Sequence, residues 1–245
     1  MPATREIAAV QRAADILAAL ADARGELGTT EVARRTGISA STCSRILATL
    51  AGRELVRHIP ATGRYRLGLG LVRLAQVAAE GTSIRSLARP HLAALASQTR
   101  ETATLSVPGA HQAITLDFVA SPLSVRSVAE IGRPSAAHAT ATGKVFLAHG
   151  GTLPAGRLTA YTPRTITDRS VLRREISNVA ACGWARASGE REPDLNAVAV
   201  PVLDGAGVLV AILGVQGPAA RFGPAEMRSA TTALTRHAAD LAGAR

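Results

Sequence analysis

The chain has 245 residues, a formal net charge of +10 and a pI near 11.3, with 47% apolar and 19% charged residues. That is enough apolar sequence to bury a core in one large domain or two ordinary ones. The absence of any run of eighteen apolar residues argues against a membrane-spanning helix.

The opening MPATREIAAVQRAADIL carries Glu6 and Asp15 inside its apolar part and is not a secretory signal. Cys43 and Cys182 lie too far apart in sequence for a disulfide framework or a metal-ligand pair, so a reducing cytoplasm is the expected location. A strongly basic chain points to an anionic partner, most often nucleic acid. Total charge has a second explanation: 27 of the 28 basic residues are Arg, and Lys144 is the only lysine, a pattern codon bias also produces. Its distribution says more. Residues 38–66 hold Arg45, Arg53, Arg57, Arg64 and Arg66 against Glu54 alone, and this equals the whole excess of the first eighty residues, 11 Arg against 7 acids.

The first element is a helix over about 6–21, with Val10, Ala13, Ala14, Ile16, Leu17 and Leu20 as its apolar face, broken by Asp22, Gly25 and Gly28. A second helix starts at Thr29-Thr30-Glu31, where a hydroxyl cap and an early acid suit the positive helix end, and stops at Gly37. A third follows within about four residues, with Ser39 as N-cap: ISASTCSRILATL (38–50) places Cys43, Ile46, Leu47 and Leu50 on one stripe. Two short helices joined by a tight turn containing Gly form a helix-turn-helix. Short strands at 55–59 and 64–67 flank the turn Pro60-Ala61-Thr62-Gly63, which makes a winged helix. LGLVRLAQVAAE (69–80) is an amphipathic linker helix, with Leu69, Val72 and Val77 spaced helically and Gly81 ending it.

The remainder reads as helix 83–100 with Ile84, Leu87, Leu92 and Leu95 inward, strands 102–107 and 113–119, and a strand SVAEIG at 127–132. Helices 139–149 and 168–182 follow, then strands near 184–188, 197–203 and 208–215 and a final helix 224–242. Asp204-Gly205-Ala206-Gly207 is hairpin-turn chemistry. Helices do not alternate with strands one for one, so the class is α+β with a mainly antiparallel sheet.

The third helix raises a chemical question. Its outer face carries Ser41, Thr42, Ser44, Arg45, Ala48 and Thr49, where an ordinary solvated face would hold longer Glu, Lys and Gln. A helix entering the DNA major groove must come close to base edges and phosphates; hydroxyls can bond either, and an arginine grips a guanine or a phosphate with two hydrogen bonds. Ser39, Ser41, Thr42, Ser44 and Arg45 are therefore the candidate reading surface. Arg64, Tyr65 and Arg66 on the wing are the candidates for flanking backbone or minor groove. The competing reading is a merely solvated helix.

In the second half, ATATGKVF (139–146) lacks the phosphate-loop pattern, since position 138 is His and position 145 is Val. What remains is a helix start whose free amides and positive dipole suit a carboxylate, or simple N-capping by threonine. Arg126 and Arg133 are candidate partners for an acid or plain surface charges, and His138 a ligand contact or a structural histidine. Glu190, Arg191, Glu192 and Asp194 read as a solvated loop. No nucleophile elbow, metal-binding His pair or dinucleotide fingerprint appears, so no cofactor or metal is expected. An enzyme fused to a DNA-binding module and a ligand-independent DNA-binding protein remain as alternatives. The second leaves the 160-odd residues after Gly81 unexplained.

VQRAADILAAL, LGTTEVARRTGISASTCSRILATL and GRYRLGLGLVRLA resemble the winged-helix domain of the IclR family of bacterial transcriptional regulators. RPHLAALASQTRETATLSV, HATATGKVFLAH, CGWARASGERE and AVAVPVLDGAGVLVAILGVQGP resemble its effector domain in order and spacing, so the resemblance covers about 5–242. It implies a DNA-binding domain 1–68, a linker helix 69–81 and a GAF-like effector domain 82–245 with a six-stranded antiparallel sheet. It implies dimers through the DNA-binding domains, often paired into tetramers, a palindromic operator in double-stranded DNA, and a small organic acid or aromatic metabolite as effector. Carried over by position, the pocket residues are Ala141, Thr142, Ser188, Leu195, Ala197, Gly214 and Gln216. Because Ala197 and Gly214 stand where some members carry larger or more polar residues, the resemblance implies room for a ligand bulkier than a two- or three-carbon acid. Trp184, four residues from Ser188, is then a candidate fluorescent reporter of the pocket.

Overall fold

Two segments of the chain fold around separate cores, residues 1–82 and 83–245. The computed structural model describes residues 7–23, 25–80, 84–153 and 155–244, with 76–80 in backbone only. The expected start of the first helix at Glu6, the stop at Gly81 and the side chain of Val77 lie outside the described residues.

The first unit contains α1 (Ala8–Asp22), α2 (Thr29–Thr36), α3 (Ala40–Gly52), β1 (Val56–Ile59), β2 (Arg64–Leu67) and α4 (Leu69–Glu80). Its core is Ile16, Leu20, Leu27, Val32, Cys43, Leu47, Leu50 and Val56. Burying a side chain such as Leu47 is worth about 2 kcal/mol. Of the expected α1 face, Val10 and Ala14 are exposed. The α2–α3 turn depends on two residues. Gly37 takes φ +71° and donates its N–H to Ala33 O at 2.9 Å, closing α2 with a left-handed residue a side chain would strain. Ser39 then caps α3, its Oγ accepting from the Thr42 N–H at 3.4 Å. β1 and β2 pair antiparallel from Val56↔Leu67 to Ile59↔Arg64, and Leu27 bridges Tyr65, tying the wing to the α1–α2 loop.

The second unit is a three-layer arrangement around one antiparallel sheet. Its elements are α5 (Ile84–Thr99), β3 (Thr102–Pro108), β4 (Ala113–Val119), α6 (Ala141–Ala148), α7 (Arg169–Cys182), β5 (Ala185–Ser188), β6 (Leu195–Leu203), β7 (Leu209–Pro218) and α8 (Pro224–Gly243). The strand order is β4-β3-β7-β6-β5. The two faces divide by strand periodicity. Leu105, Val198, Val200, Val202, Leu213 and Val215 pack under α5 and α8. Ala199, Ile212, Ala185 and Ala187 meet α6 and α7. The β6–β7 turn is held by Asp204, whose Oδ1 accepts from the Ala206 and Val208 N–H groups, both at 2.9 Å.

The sheet has five strands, not six. Residues 127–132 form no strand; the segment touches β4 through Gly132 N–H to Thr115 O (2.8 Å), Thr115 N–H to Arg133 O (3.2 Å) and an isolated Ile114–Pro134 bridge. Val128 and Ile131, the large apolar residues of that segment, are 74% and 52% exposed. They are three residues apart, so an alternating strand would send them to opposite faces.

The reading helix and the effector cavity

On the first unit, α3 presents Ser39, Ser41, Ser44 and Arg45 to solvent, with Thr42 half-buried, while Cys43 and Leu47 are fully buried behind them. The hydroxyls form a small network: Ser39 Oγ donates to Thr42 Oγ1 at 2.9 Å and lies 3.2 Å from Ser41 Oγ. Thr49 Oγ1 donates to the Arg45 backbone oxygen, and the Arg45 guanidinium itself has no partner among the described residues. The three wing candidates separate. Arg66 is exposed, its guanidinium without a partner among the described residues. Arg64 is turned inward, donating to Glu31 Oε2 at 2.9 Å and to Glu26 O at 3.2 Å. Tyr65 is half-buried against the helical core, its ring 4.8 Å from that of His58.

In the second unit a cavity of about 100 Å³ lies between the sheet, the start of α6 and the segment 127–136. Apart from Leu195, the sheet residues facing it are small or polar, where the opposite face of β3, β6 and β7 is mainly Leu and Val. Thr104 and Ser106 come from β3, Thr115 from β4, Ala187 from β5, Leu195 and Ala197 from β6, and Gln216 from β7. Ala141 and Thr142 enter from the first turn of α6. Thr140 caps that helix, its Oγ1 accepting from the Gly143 N–H at 3.0 Å and donating to Ala136 O at 3.0 Å. The cap spends the third amide of the helix; those of Ala141 and Thr142 make no hydrogen bond among the described residues and carry the positive helix end. The covering segment is fastened to the floor by Gln216 Nε2 to Ser127 Oγ (2.7 Å) and Thr102 Oγ1 to Ser127 O (2.8 Å). Arg133 and Glu192 stand at the rim, 4.0 Å apart, beside Arg191, whose guanidinium lies 3.9 Å from the Tyr161 ring centroid.

Five of the seven expected pocket positions line this cavity: Ala141, Thr142, Leu195, Ala197 and Gln216. Ser188 does not, because strand alternation gives the place to Ala187. Gly214 sits beneath the floor: a Cβ added there would meet Thr104 Oγ1 at 2.8 Å. The space the glycine frees is filled by that threonine, so the expectation of extra room at Gly214 does not hold. Trp184 packs against the α5/α8 side of the sheet, away from the cavity. His138 is buried, bonded through Nε2 to Thr159 O at 2.9 Å and stacked on Tyr161, a structural role. Among the described residues Arg126 reaches only Leu123 O, at 3.3 Å.

One arrangement had no counterpart in the sequence reading. Lys144 is 1% exposed and its three ammonium protons meet three acceptors: Glu190 Oε1 at 2.8 Å, Arg186 O at 2.9 Å and Glu175 Oε1 at 3.2 Å. Glu190, expected in a solvated loop, is 8% exposed. The bridge fixes the 189–194 loop, which carries Arg191 and Glu192 to the rim, against the helix whose first turn forms the cavity wall. The available signal was the lone lysine. Where Arg has taken every other basic position, a retained lysine marks a place needing a compact three-donor cation.

Residues 76–242 match the family model for the bacterial transcriptional regulator IclR C-terminal domain, and residues 9–60 match that for the IclR helix-turn-helix domain. The chain belongs to the IclR family of bacterial transcriptional regulators. It is 31% identical over 241 residues to the HTH-type transcriptional regulator BhcR of Paracoccus denitrificans, covering 96% of this chain and 86% of the relative. To the regulator XynR of Escherichia coli it is 30% identical, covering 90% of each. Among solved structures, an IclR-type regulator of Alicyclobacillus acidocaldarius superposes with a TM-score of 0.83 at 27% identity, covering 97% of this chain and 98% of that one. An IclR homologue of Microbacterium hydrocarbonoxydans, solved in complex with 4-hydroxybenzoate, shares the fold with a TM-score of 0.80 at 23% identity, covering 96% and 98%. As an IclR regulator this chain binds DNA through its helix-turn-helix and is not an enzyme. Among the described residues no helix is long and apolar enough to cross a membrane.

Proposed function

We propose that this IclR regulator senses a small carboxylate in its C-terminal domain and changes its affinity for operator DNA in response, controlling a catabolic or metabolic operon as repressor or activator. The observation that carries the reading is the cavity of about 100 Å³, lined by Ala141 and Thr142 in the first turn of α6 and by Arg133 and Arg191 alongside Glu130 and Glu192. Two amides, a positive helix end and flanking guanidinium groups suit a carboxylate, and the threonine and serine hydroxyls supply orientation. For scale, an apolar cavity near 150 Å³ accommodates benzene; this volume favours a short organic acid, and an aromatic acid would need segment 127–136 to lift.

On DNA, two α3 helices from a homodimer would enter successive major grooves of a palindromic operator about one helical turn apart. Ser39, Ser41, Thr42, Ser44 and Arg45 would meet base edges and phosphates there, with Arg66 of the wing on flanking phosphate. Pairing of dimers into a tetramer would extend this to a second operator. The effector can shift DNA affinity only by its difference in affinity for the two subunit arrangements. Calorimetric titration of the purified chain with glyoxylate, pyruvate, benzoate and 4-hydroxybenzoate tests the pocket. Saturable binding of one class, weakened at least tenfold by Arg133→Ala and by Thr142→Val, supports it. Binding unaffected by both substitutions contradicts it.

A further inference from the structure

Away from the effector cavity, on the opposite face of the sheet, α5 and α8 bring together three groups the regulator's function does not use. His91 Nδ1 lies 2.9 Å from His237 Nδ1, and Asp240 follows His237 by three residues on the same face of α8. One ligand atom from each of the three lies within 4.8 Å of the others. We infer that His91, His237 and Asp240 form a divalent transition-metal site, of the zinc class, that clamps the first helix of the effector domain to its last.

The donor set is the first argument. Two imidazoles and one carboxylate, with an open fourth position, is a ligand set zinc accepts. Two nitrogens about 2.1 Å from one ion at a tetrahedral angle stand roughly 3.4 Å apart. The observed 2.9 Å is within about half an ångström of that, and the exposed Asp240 can swing its carboxylate to close the third side. The arrangement also resembles carboxylate and histidine ligands offered at i and i+3 from one helix to a metal held by a neighbouring helix.

The second argument is what His237 lacks. It is 8% exposed, and among the described residues its Nδ1, the nitrogen that would ligate, meets only another imidazole. A buried structural histidine is ordinarily held by its ring nitrogens, as His138 is by Thr159. Arg236 does not occupy the site; its guanidinium points to Gln98 Oε1 at 3.3 Å. The acid of the set, Asp240, supplies the negative charge that a divalent ion needs.

The test uses the tag-free, chelator-treated full chain with Co²⁺ as a spectroscopic probe and Zn²⁺ in competition. The inference expects visible ligand-field absorption saturating at one Co²⁺ per chain, abolished by Zn²⁺. It also expects a thermal midpoint raised by roughly 5–10 °C at a hundredfold excess of Zn²⁺ over its dissociation constant. Asp240→Asn and His91→Ala, at an exposed and a half-buried position, should each remove both signals while leaving DNA binding in chelator unchanged. No absorption and no thermal shift overturns the inference. Signals that survive both substitutions overturn it too, since they would place the metal on other histidines such as His58 or His111.

Discussion

Replacing Lys144 by methionine tests the most unusual interaction in the effector domain. Methionine keeps most of the volume and removes the charge. The substitution leaves Glu190 and Glu175 facing a site whose cation is gone, with Glu190 Oε2 already without a partner among the described residues. Removing one member of a buried pair costs about 3–5 kcal/mol. Glu175 is partly exposed and can turn to water, so the lower end applies, about 3 kcal/mol. For a domain of this size each kcal/mol moves the thermal midpoint by about 2–4 °C, giving a fall of roughly 10 °C. Trp184, the only tryptophan, is half-buried against the α5/α8 core of the same domain and reports its unfolding. Lys144→Arg should also destabilise, because a planar fork cannot serve three acceptors grouped around one ammonium. Adding Glu190→Gln to Lys144→Met should recover part of the loss. A midpoint within about 2 °C of the parent for Lys144→Met would refute the claim that the bridge holds the loop to α6.

Three further outcomes are expected. Arg45→Ala should weaken operator binding by about 1–3 kcal/mol in a titration against the operator, and unchanged affinity would remove it from the reading surface. Arg66→Ala should lower the salt-dependence slope of DNA binding by about one, whereas Arg64→Ala, whose guanidinium is tied to Glu31, should leave the slope nearly unchanged and cost at most about 1 kcal/mol of stability. Gly214→Ala should destabilise the effector domain by about 1–3 kcal/mol through the clash with Thr104 Oγ1, and Thr104→Ala in the same chain should relieve it; destabilisation that persists would mean the clash lies elsewhere.

The DNA-binding unit was largely legible because its determinants are local. A glycine closing α2, a serine opening α3 and an apolar stripe behind a short-chained face are all written within about twenty residues, and each took its expected conformation. The effector domain was legible in its elements but less in its chemistry. Segment 127–132 has strand-like residues, yet their spacing of three suits no single sheet face, and the chain uses it to cover the cavity. Glu190 looked like loop charge because its partner lies 46 residues earlier. His91 and His237, 146 residues apart, offered no metal-ligand spacing; only the packing of α5 on α8 unites them. The size of the cavity was equally hidden, since the room left by Gly214 is decided by a threonine on the adjoining strand.

The central claim is tested most directly by fluorescence anisotropy of the purified chain on the intergenic DNA upstream of its own gene, across a salt series, with and without saturating carboxylate. Tight, competitor-resistant binding with a steep salt slope, changed at least fivefold by one carboxylate and insensitive to it in Arg133→Ala, is the predicted result. Sequence-independent binding of equal strength on unrelated DNA, unchanged by every carboxylate that calorimetry shows to bind, would contradict it.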